Sequence, residues 1–289
     1  TLGRFVKFDK KLLNVWGSDI YDFPNENIIK KKILIKNLNS FKYIASTSYC
    51  MAEETKKYLK NKNQEIFITP FGVDLNRFKN KFYDYSKKNS TKIIIGAIKA
   101  LKEIYGIEYL IKSIKKLELL VNKEDFEKIE VRIYGDGELK NHLIKLTKDL
   151  NLEKKIIFSE RITNSEVALK LNELDIFVIP SLRESFGVVA IEAMACEVPV
   201  IASDAEGLKE IISDGKTGLI FKRKNSLELA NKLKLLIENI KIRKIIAKNG
   251  RKEVEEKYDW NKNVSNLIKI YKTIKESKVE NGKKVKSIR

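Results

Sequence analysis

The chain has 289 residues, of which 43% are hydrophobic and 34% are charged, with 13 Gly and 4 Pro. This composition excludes collagen-like, Pro-rich and disordered proteins and is typical of a folded protein with an apolar core. The formal net charge is +19, and the chain contains one His, His142, and two Cys, Cys50 and Cys196. With only one His and two Cys, the chain cannot form a disulfide framework or a metal site built from two His or several Cys. Most catalysis that pairs His with Ser or Cys is also excluded.

The first 80 residues alternate strand-like apolar segments with helical periodicity. Strands are predicted at residues 12–16, 43–45 and 66–69, and helices near residues 28–39 and 48–60. Three strands amount to half of an open α/β sheet of the doubly wound type. We therefore expect residues 1–80 to form part of an N-terminal α/β domain that lacks its first β–α units.

A second domain is predicted at residues 81–260. Its strands are expected at residues 93–98, 129–134, 156–158, 176–179 and 198–202, with helices near residues 107–120, 138–150, 164–173 and 187–195 between them. The continuous apolar run at residues 93–98 indicates a strand buried on both faces. Because parallel strands need crossover helices, the alternation predicts a doubly wound parallel sheet.

Turns, polar residues and helices mark the ends of this second domain. Pro70 and Gly72 predict a turn, and the polar residues 83–91 predict a linker. Three helices are expected at residues 225–238, 240–257 and 261–277. Residues 261–289 are assigned to a helix that packs back on the N-terminal domain and to a basic tail. That tail contains Lys283, Lys284, Lys286 and Arg289.

The segment most indicative of chemistry joins the strand at residues 176–179 to the helix that follows. Glu184 lies in the loop, Gly187 lies where the helix begins, and Glu192 lies in the second turn of the helix. In a doubly wound sheet, ligands bind outside the carboxyl ends of the strands, and a helix N-terminus there favours phosphate. Carboxylates beside such an anion site fit a ligand that also carries hydroxyl groups, as sugars do.

Each of the two Glu also has a purely structural interpretation. Glu184 is compatible with a helix cap, and Glu192 with a solvated surface side chain. Glu192, however, lies within the otherwise apolar stretch of residues 188–196. A carboxylate in such a helix costs stability unless it has a partner or a function. We therefore favour the functional interpretation.

These residues resemble the Glu-x7-Glu signature of family 4 glycosyltransferases, the retaining enzymes of GT-B fold. Further motifs of that family are similar and follow in the same order, at residues 70–74, 135–137, 180–181, 199–203 and 214–218. The resemblance covers residues 12–275. It implies two Rossmann-like domains with parallel sheets, of which the N-terminal one is incomplete, and a nucleotide-sugar bound mainly by the C-terminal domain.

The resemblance also implies roles for individual residues. Glu184 would contact the hydroxyl groups of the transferred sugar as the catalytic carboxylate, and Glu192 would bind the ribose hydroxyls. Gly135 would lie near the nucleotide. The sugar and the diphosphate would be contacted by the segment that contains Ser185, Phe186, Gly187 and Val188.

The chain departs from the family pattern where basic residues usually neutralise the diphosphate. The corresponding positions are Ala100 and Tyr105, and the nearby Lys99 and Lys102 are candidates to supply the charge. The alternative is that both are ordinary surface lysines.

Residues 16–19, Trp-Gly-Ser-Asp, resemble the His-Gly-Thr-Asp element of the family. Asp19 is therefore a candidate contact for the donor sugar or the acceptor. The alternative is that it caps the following turn.

No cofactor is expected apart from the nucleotide-sugar substrate. The sequence contains no Asp-x-Asp motif, which argues against a metal-dependent sugar transferase. His142 falls in a predicted amphipathic helix and is interpreted as a surface residue rather than a catalytic base.

The positive charge is carried almost entirely by Lys. Only 9 of the 58 basic residues are Arg, the residue that reads base edges in DNA, so nucleic-acid binding is not favoured. Residues 1–90 hold 18 basic and 9 acidic side chains, including the run at residues 30–32. Such a basic region suits an anionic membrane or an acidic substrate. We expect a cytoplasmic protein with peripheral contact at the inner face of the plasma membrane.

The sequence thus predicts a retaining glycosyltransferase. It would transfer a sugar from a nucleoside diphosphate sugar to a hydroxyl of a lipid-linked or polysaccharide acceptor, in the synthesis of cell-surface polysaccharide. Two alternatives stay open: a non-catalytic module that binds nucleotide-sugars, and a nucleotide-sugar epimerase, which shares the GT-B architecture.

Overall fold

The computed structural model describes Phe5, Phe8, residues 10–81 and residues 92–277. The predicted linker at residues 83–91 and the basic tail lie outside the described residues. The chain forms two units, one made of Thr1–Pro70 with Asn263–Arg289 and the other of Phe71–Lys262. Each unit has its own parallel sheet.

The sheet of the first unit has three parallel strands in the order β1-β2-β3. These are β1 (Leu12–Val15), β2 (Tyr43–Ser46) and β3 (Ile66–Ile68). Its first helices are α1 (Ser18–Tyr21), α2 (Phe23–Glu26), α3 (Ile28–Leu38) and α4 (Tyr49–Lys56). Asn27 and Ser48 cap α3 and α4, accepting hydrogen bonds from the amides of Lys30 and Met51. Short polar side chains before apolar periodic segments explain why these two longer helices were predictable.

The C-terminal helix α13 (Trp260–Glu276) runs into the first unit, which includes the chain from Asn263 onward. Ile274 on this helix is buried. The hydroxyls of Ser277 and Tyr43 lie 2.6 Å apart in a hydrogen bond. The last turn of α13 is therefore held at the start of β2.

The sheet of the second unit has six parallel strands in the order β6-β5-β4-β7-β8-β9. They are β4 (Ile93–Ile98), β5 (Ile129–Tyr134), β6 (Ile156–Ser159), β7 (Ile176–Ile179), β8 (Val200–Ser203) and β9 (Leu219–Phe221). The order reverses between β4 and β7, where Ile95 pairs with Ile176. The predicted doubly wound sheet is confirmed, and this reversal creates a crevice at the carboxyl ends of β4 and β7.

Helices cover both faces of this sheet. They are α5 (Ile107–Leu117), α6 (Lys123–Lys128), α7 (Lys140–Asp149), α8 (Asn164–Asn172), α9 (Val188–Ala195), α10 (Glu206–Ile211), α11 (Ser226–Glu238) and α12 (Ile240–Lys257). One core contains Ile111 of α5 and Leu233 of α11, and the other contains Ala190 of α9 and Leu208 of α10. Burial on both faces explains why the strands read as continuous apolar runs.

Five of these elements were not predicted from the sequence, namely the helices α1, α2, α6 and α10 and the strand β9, and one domain boundary differs. Strand β9 has three residues and helix α10 has six, of which one is Gly207, so neither shows a clear period. The sequence assigned residues 71–80 to the first domain, but they pack with the second unit. Val73 is buried there, and its amide donates to the carbonyl of Tyr258 at 2.8 Å.

Candidate functional site

Two adjoining cavities of the second unit lie at the carboxyl ends of its strands. The smaller, of about 330 Å³, includes Lys99, Glu184 and Glu192 in its lining. The larger, of about 670 Å³, also includes Lys99, together with Gly135 and Arg161. Lys99 follows β4 and Glu184 follows β7, the two strands at which the sheet order reverses. The structure therefore brings the main predicted residues together at the expected crevice.

The loop before α9 places backbone at the smaller cavity. Gly187 caps α9 with φ +105°, a left-handed conformation that favours glycine. Phe186 is buried and makes edge-to-face contacts with Phe71 and Tyr258, with ring centroids 5.6 and 5.8 Å apart. The predicted donor-binding residues Ser185, Phe186, Gly187 and Val188 all line this cavity. The amides at the start of a helix have no partner within the helix, so this end is suited to an anion.

Glu184 forms an ion pair with Lys99 rather than a cap of α9. The Nζ of Lys99 lies 2.7 Å from Oε2 of Glu184, and both side chains are largely buried. The same Nζ lies 4.5 Å from the ring centroid of Tyr105. Helix α9 has no side-chain capping hydrogen bond, so the interpretation of Glu184 as a cap is wrong. The loop thus presents a paired carboxylate and ammonium to the cavity.

Glu192 lies in the wall of the same cavity and is half-buried. Desolvation raises the pKa of its carboxyl to about 7, although the charges of Arg77 and Lys99 act in the opposite direction. The interpretation of Glu192 as a fully solvated side chain is therefore wrong. A half-buried carboxyl with a raised pKa is typical of a functional site, and it can accept hydrogen bonds from a ligand that offers donors.

Gly135 brings the loops after β4 and β5 into backbone contact. Its φ is +153°, and a Cβ at this position would lie 1.9 Å from the carbonyl oxygen of Lys99. The amide of Lys99 in turn donates to the carbonyl of Tyr134 at 3.0 Å. Because Gly135 has no side chain, the backbone of Lys99 can lie this close to the loop after β5.

Two of the predicted site residues are not brought to these cavities. Lys102 is exposed, precedes the short 3₁₀ helix Glu103–Tyr105, and is not among the described residues that line either cavity. Lys102 is therefore exposed at the surface, and its role in neutralising the diphosphate stays a prediction. Asp19 belongs to the first unit, where its carboxylate accepts hydrogen bonds from the amides of Gly17 at 2.7 Å and Trp16 at 3.1 Å. These amides precede Asp19, and α1 has no side-chain capping hydrogen bond, so the interpretation of Asp19 as a cap of the following turn is wrong.

The sequence interpretation missed three polar residues of the larger cavity: Asp136, Arg161 and Asn164. Arg161 follows β6 by two residues, and Asp136 follows β5 by two. Their positions just beyond strand ends are the signal that could have identified them. Arg77, whose charge acts on Glu192, was also missed; its guanidinium donates to the carbonyl of Asn164.

Two further properties concern metals and membranes. Within residues 10–81 and 92–277, no group of three or more His, Cys, Asp or Glu side chains is arranged to hold a metal ion. None of the helices in the described part of the chain combines the length and apolarity needed to cross a bilayer.

Comparison with known proteins supplies the context for this site. Residues 78–253 match the model of the family described as Glycosyl transferases group 1. An uncharacterized glycosyltransferase of Methanocaldococcus jannaschii, MJ1178, is 30% identical over 91% of this chain and 68% of its own length. The capsular polysaccharide biosynthesis glycosyltransferase CapM of Staphylococcus aureus is 30% identical over 73% of this chain and 54% of its own length.

A solved structure shows the same fold. TarM of S. aureus, in complex with Fondaparinux, alpha-GlcNAc-glycerol and UDP, aligns with a TM-score of 0.75 at 21% identity. The alignment covers 91% of this chain and 50% of TarM. The predicted α/β fold of GT-B type is confirmed. The chain spans about half to two thirds of the length of these relatives.

Proposed function

Because the chain belongs to the enzyme family of glycosyl transferases group 1, we propose that it transfers a sugar from a nucleoside diphosphate sugar to a hydroxyl group, with retention at the anomeric carbon. The observation that carries this proposal is the grouping of Lys99, Glu184 and Glu192 in one cavity beside the start of α9. An ammonium and a helix N-terminus suit a diphosphate, and two carboxylates suit hydroxyl groups.

In the proposed complex the diphosphate lies between the N-terminus of α9 and Lys99. The ribose hydroxyls donate to Glu192, and the base enters the larger cavity beside Asp136 and Arg161. Lys99 then exchanges Glu184 for the diphosphate, which leaves the Glu184 carboxylate to accept hydrogen bonds from the sugar. The ion pair of the free protein thus keeps both groups in place for the donor.

The proposed reaction breaks the bond between the anomeric carbon and the diphosphate oxygen. The acceptor oxygen forms the new bond to that carbon, and its proton passes to the departing diphosphate. Negative charge grows on the leaving group, so Lys99 and the amides at the start of α9 stabilise the transition state electrostatically. Glu184 orients the sugar and supports positive charge at the ring.

Glu192 provides a direct test of donor binding through its titration. With a pKa of about 7 in the free protein, the Glu192 carboxyl is largely ionised at pH 8 and largely protonated at pH 6, and the ionised form is the stronger acceptor for the ribose hydroxyls. A nucleoside diphosphate sugar is a diester without a group that titrates near pH 7. We therefore expect UDP-glucose or GDP-mannose, whichever binds, to bind more tightly at pH 8 than at pH 6, by up to about tenfold, with proton release.

Calorimetry in buffers of different ionisation enthalpy measures both quantities. The Glu192→Gln variant, which cannot ionise, should bind more weakly and show neither the pH dependence nor the proton release. Equal affinities and equal proton release in the two proteins would contradict the assigned role of Glu192.

Product analysis separates transfer from the two alternatives. The protein is incubated with the bound nucleotide-sugar, with and without a polyprenyl-diphosphate-linked sugar, and with and without EDTA. Transfer requires the acceptor and, since we propose no metal cofactor, persists in EDTA. Conversion of the donor to an epimer without acceptor would identify an epimerase. Binding without any conversion would favour a non-catalytic module.

We propose a lipid-linked or polysaccharide acceptor at the inner face of the plasma membrane, in the synthesis of cell-surface polysaccharide. The relative CapM acts in capsular polysaccharide biosynthesis, which supports this acceptor class. Helix α3 supports the location, since it exposes Ile28 and Ile29 together with Lys31, Lys32 and Lys36. Exposed apolar side chains among lysines are typical of a helix that lies on an anionic bilayer.

Vesicle binding tests this location. The Lys31→Glu/Lys32→Glu variant should partition at least tenfold more weakly to phosphatidylglycerol vesicles, because each lysine near such a surface contributes about 1 kcal/mol. The Lys241→Glu/Lys248→Glu variant carries the same charge change on exposed positions of α12 and should bind like wild type. Equal losses in both variants would indicate only a general charge effect and contradict the role of α3.

A further inference from the structure

We propose that Arg223 is a positioning residue that holds Glu184 in its working geometry; this inference rests on the proposed function of the site. Arg223 follows β9 by two residues and is not among the described residues that line the two cavities. It acts through contacts with the loops after β7 and β8, at the carboxyl edge of the second sheet. No contact between Arg223 and the donor is required.

The first contact is with the loop that carries Glu184. Nη1 of Arg223 donates to the carbonyl of Leu182 at 2.9 Å, two residues before Glu184. The amide of Leu182 donates to the carbonyl of Ile104 at 2.8 Å. Arg223 thus fixes the carbonyl of Leu182, and the carbonyl of Ile104 fixes its amide.

The second set of contacts holds the segment after β8. The amide and Nε of Arg223 each donate to Oδ1 of Asp204 at 2.9 Å, and Nη2 donates to the carbonyl of Asp204 at 2.9 Å. Nη2 also lies 2.7 Å from Oε1 of Glu206, the first residue of α10. The Arg223 hydrogen bond is the main reason that the pKa of Glu206 is lowered, which indicates a favourable charge pair.

This second set of contacts reaches Glu184 through α10. The amide of Gly207, adjacent to Glu206, donates to the carbonyl of Glu184 at 3.1 Å. Arg223 therefore holds the backbone on both sides of Arg183, directly at Leu182 and through Glu206 and Gly207 at Glu184. With the backbone fixed at both points, the Glu184 side chain is directed to Lys99.

Only an arginine has the geometry for these contacts. Its planar guanidinium carries five N–H donors, so one side chain serves a carboxylate, a second carboxylate and two carbonyls at once. A lysine in this position could keep one or two of these bonds. The substitutions Arg223→Lys and Arg223→Gln therefore form a graded series.

The test compares how much the sugar adds to donor affinity. Calorimetry gives the ratio of the Kd for NDP to the Kd for NDP-sugar, which reports contacts to the sugar and hence Glu184. We expect Arg223→Gln to keep the NDP affinity within about twofold, to reduce this ratio to that of Glu184→Gln, and to lower kcat about tenfold or more. Arg223→Lys should restore part of the ratio, and Arg223→Gln should add nothing in a protein that already carries Glu184→Gln.

The control is Arg132→Gln, which removes an arginine of the same unit that is ion-paired to Glu130 and Glu173 away from the cavities. It should lower the urea midpoint without changing the ratio. One contrary result is a wild-type protein that binds the donor normally, together with a ratio of the two Kd values that is the same in wild type, Arg223→Gln and Arg223→Lys. That result would overturn the inference about Arg223 but not the proposed function. A parallel loss of NDP and NDP-sugar affinity in step with the urea midpoint would also overturn it. A wild-type protein that binds no NDP-sugar would overturn the proposed function as well.

Discussion

Replacing Glu184 with Gln is expected to lower sugar transfer about 100- to 1000-fold, the range seen when a preorganised electrostatic contact to a transition state is removed. The same variant should bind the free nucleoside diphosphate more tightly than wild type, by about two- to fivefold. The two changes have opposite signs because Glu184 has two partners. In the proposed reaction it supports the sugar, and in the free protein it pairs with Lys99.

The tighter binding follows from the geometry of the pair. Oε2 of Glu184 lies 2.7 Å from the Lys99 ammonium, to which we propose that the diphosphate binds, so donor binding would break this contact. A neutral amide competes less for Lys99 and removes a negative charge from beside the diphosphate. The gain in NDP affinity is therefore expected only if Lys99 binds the diphosphate.

Initial-rate kinetics and NDP calorimetry measure the two effects. The matched control is Glu173→Gln, which removes a carboxylate of the same unit that is paired with Arg132 and Lys170 outside both cavities. It should leave transfer and NDP affinity unchanged. Weaker NDP binding by Glu184→Gln would place the diphosphate elsewhere than at Lys99, and normal transfer would exclude a catalytic role for Glu184.

Replacing Gly135 with Ala is expected to destabilise the protein by about 2–6 kcal/mol. The new Cβ would lie 1.9 Å from the carbonyl oxygen of Lys99, so backbone must move, and φ of +153° is itself unfavourable for alanine. Backbone strain and overpacking each cost about 1–3 kcal/mol. Because the atom displaced belongs to Lys99, donor binding should weaken in the fraction that stays folded.

Urea unfolding gives the stability change, and Gly215→Ala provides the control. Gly215 has φ +74°, but a Cβ there would meet no atom within 4 Å, so only conformational strain of about 1 kcal/mol applies. The contrast between the two variants isolates the close approach of the loops after β4 and β5. Similar losses of stability in Gly135→Ala and Gly215→Ala would show that the close approach of the two loops adds nothing to the cost of alanine at Gly135.

Local patterns were sufficient to predict the architecture of the second unit and part of its site. The apolar runs and the helical periodicity between them correctly predicted five of its strands, since burial on both faces leaves a continuous signal. Glu192 was identified as unusual because it interrupts an apolar helix, and its raised pKa has that same cause, desolvation. Gly187 was recognised at the start of α9, where its positive φ is observed.

The sequence by itself thus determined the α/β fold and the loop–helix segment that contains both carboxylates. Which residues meet was decided only by the tertiary structure. Lys99 and Glu184 are 85 positions apart and meet because β4 and β7 are neighbours where the sheet reverses. The same arrangement leaves Lys102 exposed, brings Arg161 to the larger cavity and connects Arg223 to the loops after β7 and β8. Contacts of this kind depend on strand order, which no local period in the sequence encodes.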